Sequence, residues 1–208
     1  MPARGEPTVT LLLRHGQTPM SVQKRYAGRS DVPLTDTGLR QAVAAAKRLA
    51  PAGVSVIVTS PLQRAMQTAE EVAAVTGVPV VTEEGFRETD FGAWEGLTFA
   101  EVRERWPAQL SAWLADPVVA PPGGESFAGV SERVTAALHR VLAGWERQRI
   151  LIVSHVTPIK MLVAAALLAP PPALYRMHLD VAALCEIDWY ADGPAVLRSY
   201  NDTAHLSS

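Results

Sequence analysis

Three short segments of the 208-residue chain carry side chains suited to ionic chemistry, and each follows directly on an apolar run. Arg14-His15-Gly16 comes after Val9 to Leu13, Ser60-Pro61 leading to Arg64 after Val54 to Thr59, and Ser154-His155 after Ile150 to Val153. Taken singly, each has a structural explanation: a histidine at a strand end is more often hydrogen-bonded than catalytic, and an arginine on a helix is usually solvated. Together, four cation-capable side chains on one rim would repel one another unless an anion joined them. Phosphate is the natural anion, because arginine forks match its oxygens bidentately. No hydroxyl or thiol nucleophile and no metal cluster accompanies the set, so an imidazole has to take the phosphoryl group. His15 is the candidate, with Arg14, Arg64 and His155 lowering its pKa and keeping a lone pair available. Gly16 beside it would let the backbone approach the phosphoryl oxygens. The leaving oxygen needs a proton, and Glu83, Glu84, Glu88, Asp90 and Glu95 are the carboxyl candidates, among which spacing does not choose.

The elements that must position these groups alternate. The run Val9 to Leu13 predicts a strand buried on both faces. Thr35 opens a helix whose apolar residues recur at three and four to Leu49, ended by Pro51 and Gly53. Val54 to Thr59 predicts a second strand. Ser60-Pro61-Leu62-Gln63 has the form of an N-cap, N1 proline and capping-box glutamine, with Gly77 closing that helix. Val78 to Thr82 is a short strand, Thr98 with Glu101 starts another helix, and Pro107 and Pro117 break up the next region. Ser126 to Gln148 is a long amphipathic helix, Ile150 to Ser154 a strand, Pro158 to Leu168 a buried helix. Two strands, Ala183 to Tyr190 and Ala195 to Tyr200, flank the Asp192-Gly193 turn. This order predicts a three-layer α/β fold: a mostly parallel central sheet with helices on both faces. Ligands in such sheets bind beyond the C-terminal strand ends, where the histidines and arginines stand.

Composition narrows the alternatives. With 48% hydrophobic and 19% charged residues the chain is globular and not disordered. A net charge of −2 without any long Lys/Arg run argues against nucleic acid as a ligand. The most apolar stretch, Met161 to Ala169, is too short to cross a membrane, and the N-terminus has no apolar core of a signal peptide. Cys185 is the single cysteine, which excludes an internal disulfide and cysteine-rich metal centres. The expectation is a cytoplasmic protein needing no metal and no cofactor.

The chain resembles the histidine phosphatase superfamily, also called phosphoglycerate mutase-like. The resemblance rests on Leu13-Arg14-His15-Gly16-Gln17-Thr18, Pro33-Leu34-Thr35 with Gly38, Ser60-Pro61-Leu62 with Arg64, Glu88 with Phe91-Gly92 and Trp94-Glu95-Gly96, Gly123-Gly124-Glu125-Ser126 with Arg133, and Val153-Ser154-His155. These segments run in order across nearly the whole chain. The resemblance implies residues 8–203 as the phosphatase domain behind a flexible lead-in at 1–7. It implies that His15 forms a phosphohistidine, that Arg14, Arg64 and His155 hold the phosphoryl oxygens, and that Glu88 is the acid and then the base. Gly16, Ser21, Gly28 and Val156 are the further phosphate- or substrate-binding positions it implies. Ser21 stands where the family often has asparagine, and Val156 where glycine or alanine is common. Val153 to Lys160 looks most like the α-ribazole phosphatase branch, which implies a phosphatase for a small phosphorylated metabolite such as α-ribazole 5′-phosphate. The resemblance to the actinobacterial members of that branch, some of which are fused behind a ribonuclease H domain, implies such an upstream domain in the full-length chain, and a homodimer is compatible with the family. Phosphoglycerate mutase and a phospho-ligand binding module are the competing readings; against the first, Gly96 to Pro122 offers only Arg103 and Arg105 as basic residues.

Several residues are expected to have no catalytic part. His139 reads as a surface position, His178 as a packing residue, and His205 as part of a fraying tail. Trp94, Trp106 and Trp113 read as core, with Phe99, Trp106 and Trp113 as candidates for a lid.

Overall fold

A computed structural model describes residues 5–207. Residues 1–4 of the expected lead-in lie outside the described residues, and 5–7 run without regular structure into the first strand. Six strands form one sheet: β1 (Thr8–Arg14), β2 (Val56–Thr59), β3 (Val80–Thr82), β4 (Arg149–Ser154), β5 (Leu184–Trp189) and β6 (Ala195–Asp202). Their order is β3-β2-β4-β1-β5-β6, parallel from β3 to β1 and antiparallel from β1 to β6. The helices are α1 (Pro19–Val22), α2 (Asp36–Leu49), α3 (Gln63–Thr76), α4 (Phe99–Arg105), α5 (Pro107–Ala115), α6 (Phe127–Gly144) and α7 (Val156–Ala166).

The pleat divides the core in two. Leu12, Val56, Val58, Ile150 and Ile152 pack with α5, α6 and α7, while Leu11, Leu13, Ile57, Leu151 and Val153 pack with α2 and α3. Neighbouring residues on β1, β2 and β4 thus face opposite layers, which is why those strands are apolar without alternation. The expected three-layer α/β architecture is what the chain adopts.

Some local expectations differ from the structure. Ser60 does not cap α3, which starts only at Gln63 after an extended Leu62 with no side-chain cap bond. The hydroxyl of Ser60 is committed to His155, and the first helical N–H, that of Gln63, is taken instead by Asp31 Oδ1 at 2.6 Å. Pro107 begins a helix: it is the N1 residue of α5, where a missing N–H costs nothing. Helix α7 starts at Val156, two residues before Pro158, for the same reason: the proline lies in the first turn. His178 is exposed and not a packing residue, with its Nε2 2.9 Å from Asp180 Oδ1. The tail is tied down, because His205 Nε2 lies 3.0 Å from the Ala182 carbonyl. Trp94 and Trp113 are core residues as expected, and Cys185 is buried.

Two glycines hold the first strand end against α2. A Cβ on Gly38, in the first turn of α2, would run into the carbonyl of Gln17, and one on Gly16 into the carbonyl of Gly38. Helix propensity alone favours alanine at Gly38 by about 0.5–1 kcal/mol, whereas a backbone clash of this kind costs about 1–3 kcal/mol. Gly38→Ala is therefore expected to lower the unfolding free energy in urea, and a stabilised variant would show that the approach is not rigid.

Candidate active site

Parallel register decides what meets at the sheet edge. Arg14 pairs with Ser154 and Thr59 with Val153, so the residues after β1, β2 and β4 emerge together. The ladder runs one step past the strands: His15 N–H donates to Ser154 O and Ser60 N–H to Val153 O, both at 3.0 Å. The His15 and His155 rings stand 5.1 Å apart as a result.

His15 is 5% exposed, and its Nδ1 lies 2.8 Å from the carbonyl of Gly16. A carbonyl only accepts, so Nδ1 carries the proton and Nε2 keeps its lone pair. Burial, then the nearby Arg14 and Arg64, hold the His15 pKa well below the usual imidazole range. His15 is thus neutral at neutral pH, with an unprotonated Nε2. His155, fully buried, is likewise held well below that range by burial, Arg64, His15 and Arg14. Its Nε2 is 2.7 Å from Ser60 Oγ, a hydroxyl that itself accepts from Leu62 N–H. With the serine proton directed at Nε2, the His155 Nδ1–H is a buried donor lacking an acceptor among the described residues.

The two arginines are held by carbonyls, not carboxylates. Arg14 Nη1 donates to Leu179 O at 2.7 Å. Arg64, 1% exposed, donates Nη1 to Ser30 O and Nη2 to Ala27 O and Gly28 O. Burial depresses both, Arg14 to about 10, and Glu88 works in the opposite direction on each. Each Nε is buried without an acceptor among the described residues. Neutral carbonyls fix these guanidiniums in place and leave their charge uncancelled.

Geometry settles which carboxylate faces the histidine. Glu83 is taken by Gly85 N–H and Arg140, Glu84 by Arg87, Asp90 by Arg29 and Gly92 N–H. Glu95 accepts from the Gly28 and Ser30 amides, and so shapes the loop whose carbonyls grip Arg64. Glu88 alone of the five lines the cavity at His15, accepting from the amides of Thr89 at 2.8 Å and Thr157 at 3.3 Å. Its backbone is set by Arg133, which pairs with Glu125 and donates to the carbonyls of Gly85, Arg87 and Glu88. Ser154 Oγ holds the same segment through Phe86 O.

The cavity over His15 has a volume of about 320 Å³. Arg14, Glu88, Ser21, Val156 and Lys160 line it, with an apolar wall of Tyr26, Phe91, Trp113, Phe127, Leu174 and Tyr175. Arg64 and His155 adjoin His15 and are themselves almost wholly buried. Three expected ligand-binding positions have other partners. Gly28 gives its N–H to Glu95 and its carbonyl to Arg64, so it serves the site through Arg64. Gly16 donates to Thr68 Oγ1 at 3.2 Å, and its missing Cβ makes room for Gly38. The Ser21 hydroxyl is engaged in the cap of α1, with Thr18. Ser60, Glu95 and Arg133 position the site through partners 95, 67 and 48 residues away, which spacing along the sequence does not show. Lys160 was also not singled out, although Val156 to Lys160 is an i,i+4 pair on one helix face.

The family model "Histidine phosphatase superfamily (branch 1)" matches residues 10–203. Bifunctional protein Rv2228c of Mycobacterium tuberculosis is 51% identical over 205 residues, covering 98% of this chain and 56% of that protein, so the chain spans about half the length of that relative. A probable phosphoglycerate mutase GpmB of Proteus mirabilis is 35% identical over 204 residues, covering 94% of each. Among solved structures, the mycobacterial glucosyl-3-phosphoglycerate phosphatase Rv2419c in complex with VO3 superposes with a TM-score of 0.86 at 31% identity, covering 97% of this chain and all of that one. A putative alpha-ribazole-5′-P phosphatase of Escherichia coli gives 0.86 at 29% identity over 94% and 97%. With that family model matching residues 10–203, nearly the whole chain, the chain belongs to the histidine phosphatase superfamily, branch 1.

Proposed function

We propose that the protein is a metal-independent phosphomonoesterase that works through a phosphohistidine. The observation that carries this reading is a group of three buried N–H donors, Arg14 Nε, Arg64 Nε and His155 Nδ1, without acceptors among the described residues and on side chains coupled to the neutral His15. An unpaired buried donor costs about 1–3 kcal/mol, and a phosphoryl group supplies the missing acceptors. His15 Nε2 attacks phosphorus; the bond to the alcohol oxygen breaks, and that oxygen takes the proton of Glu88. Water then gives a proton to the Glu88 carboxylate as its oxygen bonds to phosphorus, which releases inorganic phosphate and regenerates His15. The arginines and His155 stabilise charge on the non-bridging oxygens throughout.

A small phosphorylated metabolite fits the cavity volume, and α-ribazole 5′-phosphate is the first compound to test, in view of the Val153 to Lys160 motif and the Escherichia coli neighbour. The likeness to probable phosphoglycerate mutases favours a second reading, phosphoryl transfer between sugar-acid oxygens. Arg103 and Arg105, the basic residues available for it between Gly96 and Pro122, are exposed on α4 and do not line the cavity.

With p-nitrophenyl phosphate, His15→Ala is expected to lower kcat by at least about 1,000-fold, while EDTA leaves the native rate unchanged. Turnover surviving the substitution would exclude the phosphohistidine route. Glu88→Gln should cost about 100-fold or more on an alkyl phosphate and clearly less on p-nitrophenyl phosphate, whose leaving group departs without a proton; equal losses would remove Glu88 as the acid. The depressed His15 pKa means that the nucleophile becomes protonated only well below pH 6.5. The acidic limb of kcat/KM should therefore lie below that pH, and a limb at or above it would contradict a neutral, desolvated His15.

A further inference from the structure

Lys160 is the one cation on the cavity wall that the phosphoryl-transfer steps do not use and that, among the described residues, has no carboxylate within ion-pair distance. It lies on α7, half-buried, and lines the cavity together with His15 and Glu88. Its Nζ donates to the carbonyl of Leu174 at 3.2 Å, which uses one of three ammonium protons. Among the described residues no Asp or Glu oxygen stands within ion-pair distance of it. Arg25, the other basic side chain on this side, is already bound by Gly96 O and by Glu101 at 3.0 Å. The wall around Lys160 is apolar: Trp113, Phe127, Leu174 and Tyr175.

We propose that Lys160 is a specificity-determining residue that binds a negatively charged oxygen, of a carboxylate or a second phosphate, on the alcohol part of the substrate. The proposal rests on the phosphatase reading and names the substrate class of that site. Such a substrate is a phosphomonoester whose alcohol has an apolar or aromatic face and an anionic group apart from the transferred phosphate. The ring-lined wall covers the first, since Tyr26, Phe91, Trp113 and Phe127 form a chain of contacts with centroids 4.7 to 6.5 Å apart. Lys160 meets the second. Arg14 and Arg64 cannot serve, because the transferred phosphoryl group occupies them. Burial, followed by the positive Arg14, lowers the Lys160 pKa against a smaller upward pull from the Glu88 charge, so an arriving anion gains from a partly desolvated ammonium that has no carboxylate in contact.

The experiment compares phenyl phosphate with 3- and 4-carboxyphenyl phosphate on the native chain, Lys160→Met and Lys160→Arg. Taking variant-to-native ratios cancels the intrinsic reactivity of each leaving group. The native protein should prefer the better carboxylated isomer, mainly through KM. Lys160→Met should reduce that preference about tenfold or more, and Lys160→Arg should restore most of it. The proposal is overturned if the native chain shows no preference for either isomer, or if Lys160→Met slows all three substrates in equal proportion, which would mean that Lys160 acts through Glu88 or through packing. A native chain that hydrolyses none of the three would instead defeat the phosphatase reading itself.

Discussion

Everything at the site depends on the parallel pairing of β1 with β4, Arg14 opposite Ser154. The side-chain period of a strand is two, so a slip of one residue would turn Leu11, Leu12 and Leu13 to the wrong layers and carry His15 away from His155. Burial of both faces of the central strands makes such a slip costly. The same hydrophobic constraint that builds the core thereby sets the distance between two imidazoles with sub-turn accuracy.

Around this pair the fold collects positive charge and declines to neutralise it. Arg64 is buried, yet its partners are three backbone carbonyls, and Arg14 donates to another. Of the carboxylates whose charge reaches Arg64, Glu95 is held by loop amides and Asp31 by the start of α3, while Glu88 lines the cavity. Carbonyls give direction without cancelling charge, and a desolvated, uncancelled charge is what an incoming phosphoryl group can use. The cost of burying these groups is met by the two packed layers on either side of the sheet. The site is thus preorganised for an anion and, through the same field, keeps His15 neutral.

Much of this was legible in the order of the residues. Continuous apolar runs at Val9 to Leu13 and Ile150 to Val153 identified buried parallel strands, because such strands have no solvent face to alternate toward. Capping at Thr35, Thr98 and Ser126 was readable from local chemistry, and each side chain makes its cap bond. Ser60 misled for a physical reason. Its type and position fit a cap, but its hydroxyl is drawn to a histidine 95 residues away, and Asp31 took the helix end instead. Gly16 reads as a glycine that makes room for phosphoryl oxygens, whereas what its missing Cβ makes room for is the Gly38 carbonyl.

By itself, then, the sequence determined the layers, the central strands, and the convergence of His15, Arg14, Arg64 and His155 on one edge, since periodicity and right-handed crossovers act over short spans. Spacing left five carboxylates open and only the resemblance singled out Glu88; the tertiary structure decided that Glu88 shares the cavity with His15, which nitrogen of His15 keeps its lone pair, and that Lys160 stands in the cavity without a carboxylate within ion-pair distance among the described residues. Those outcomes depend on which distant amides, carbonyls and acids already hold one another, and that competition for partners is settled only when the whole chain is packed.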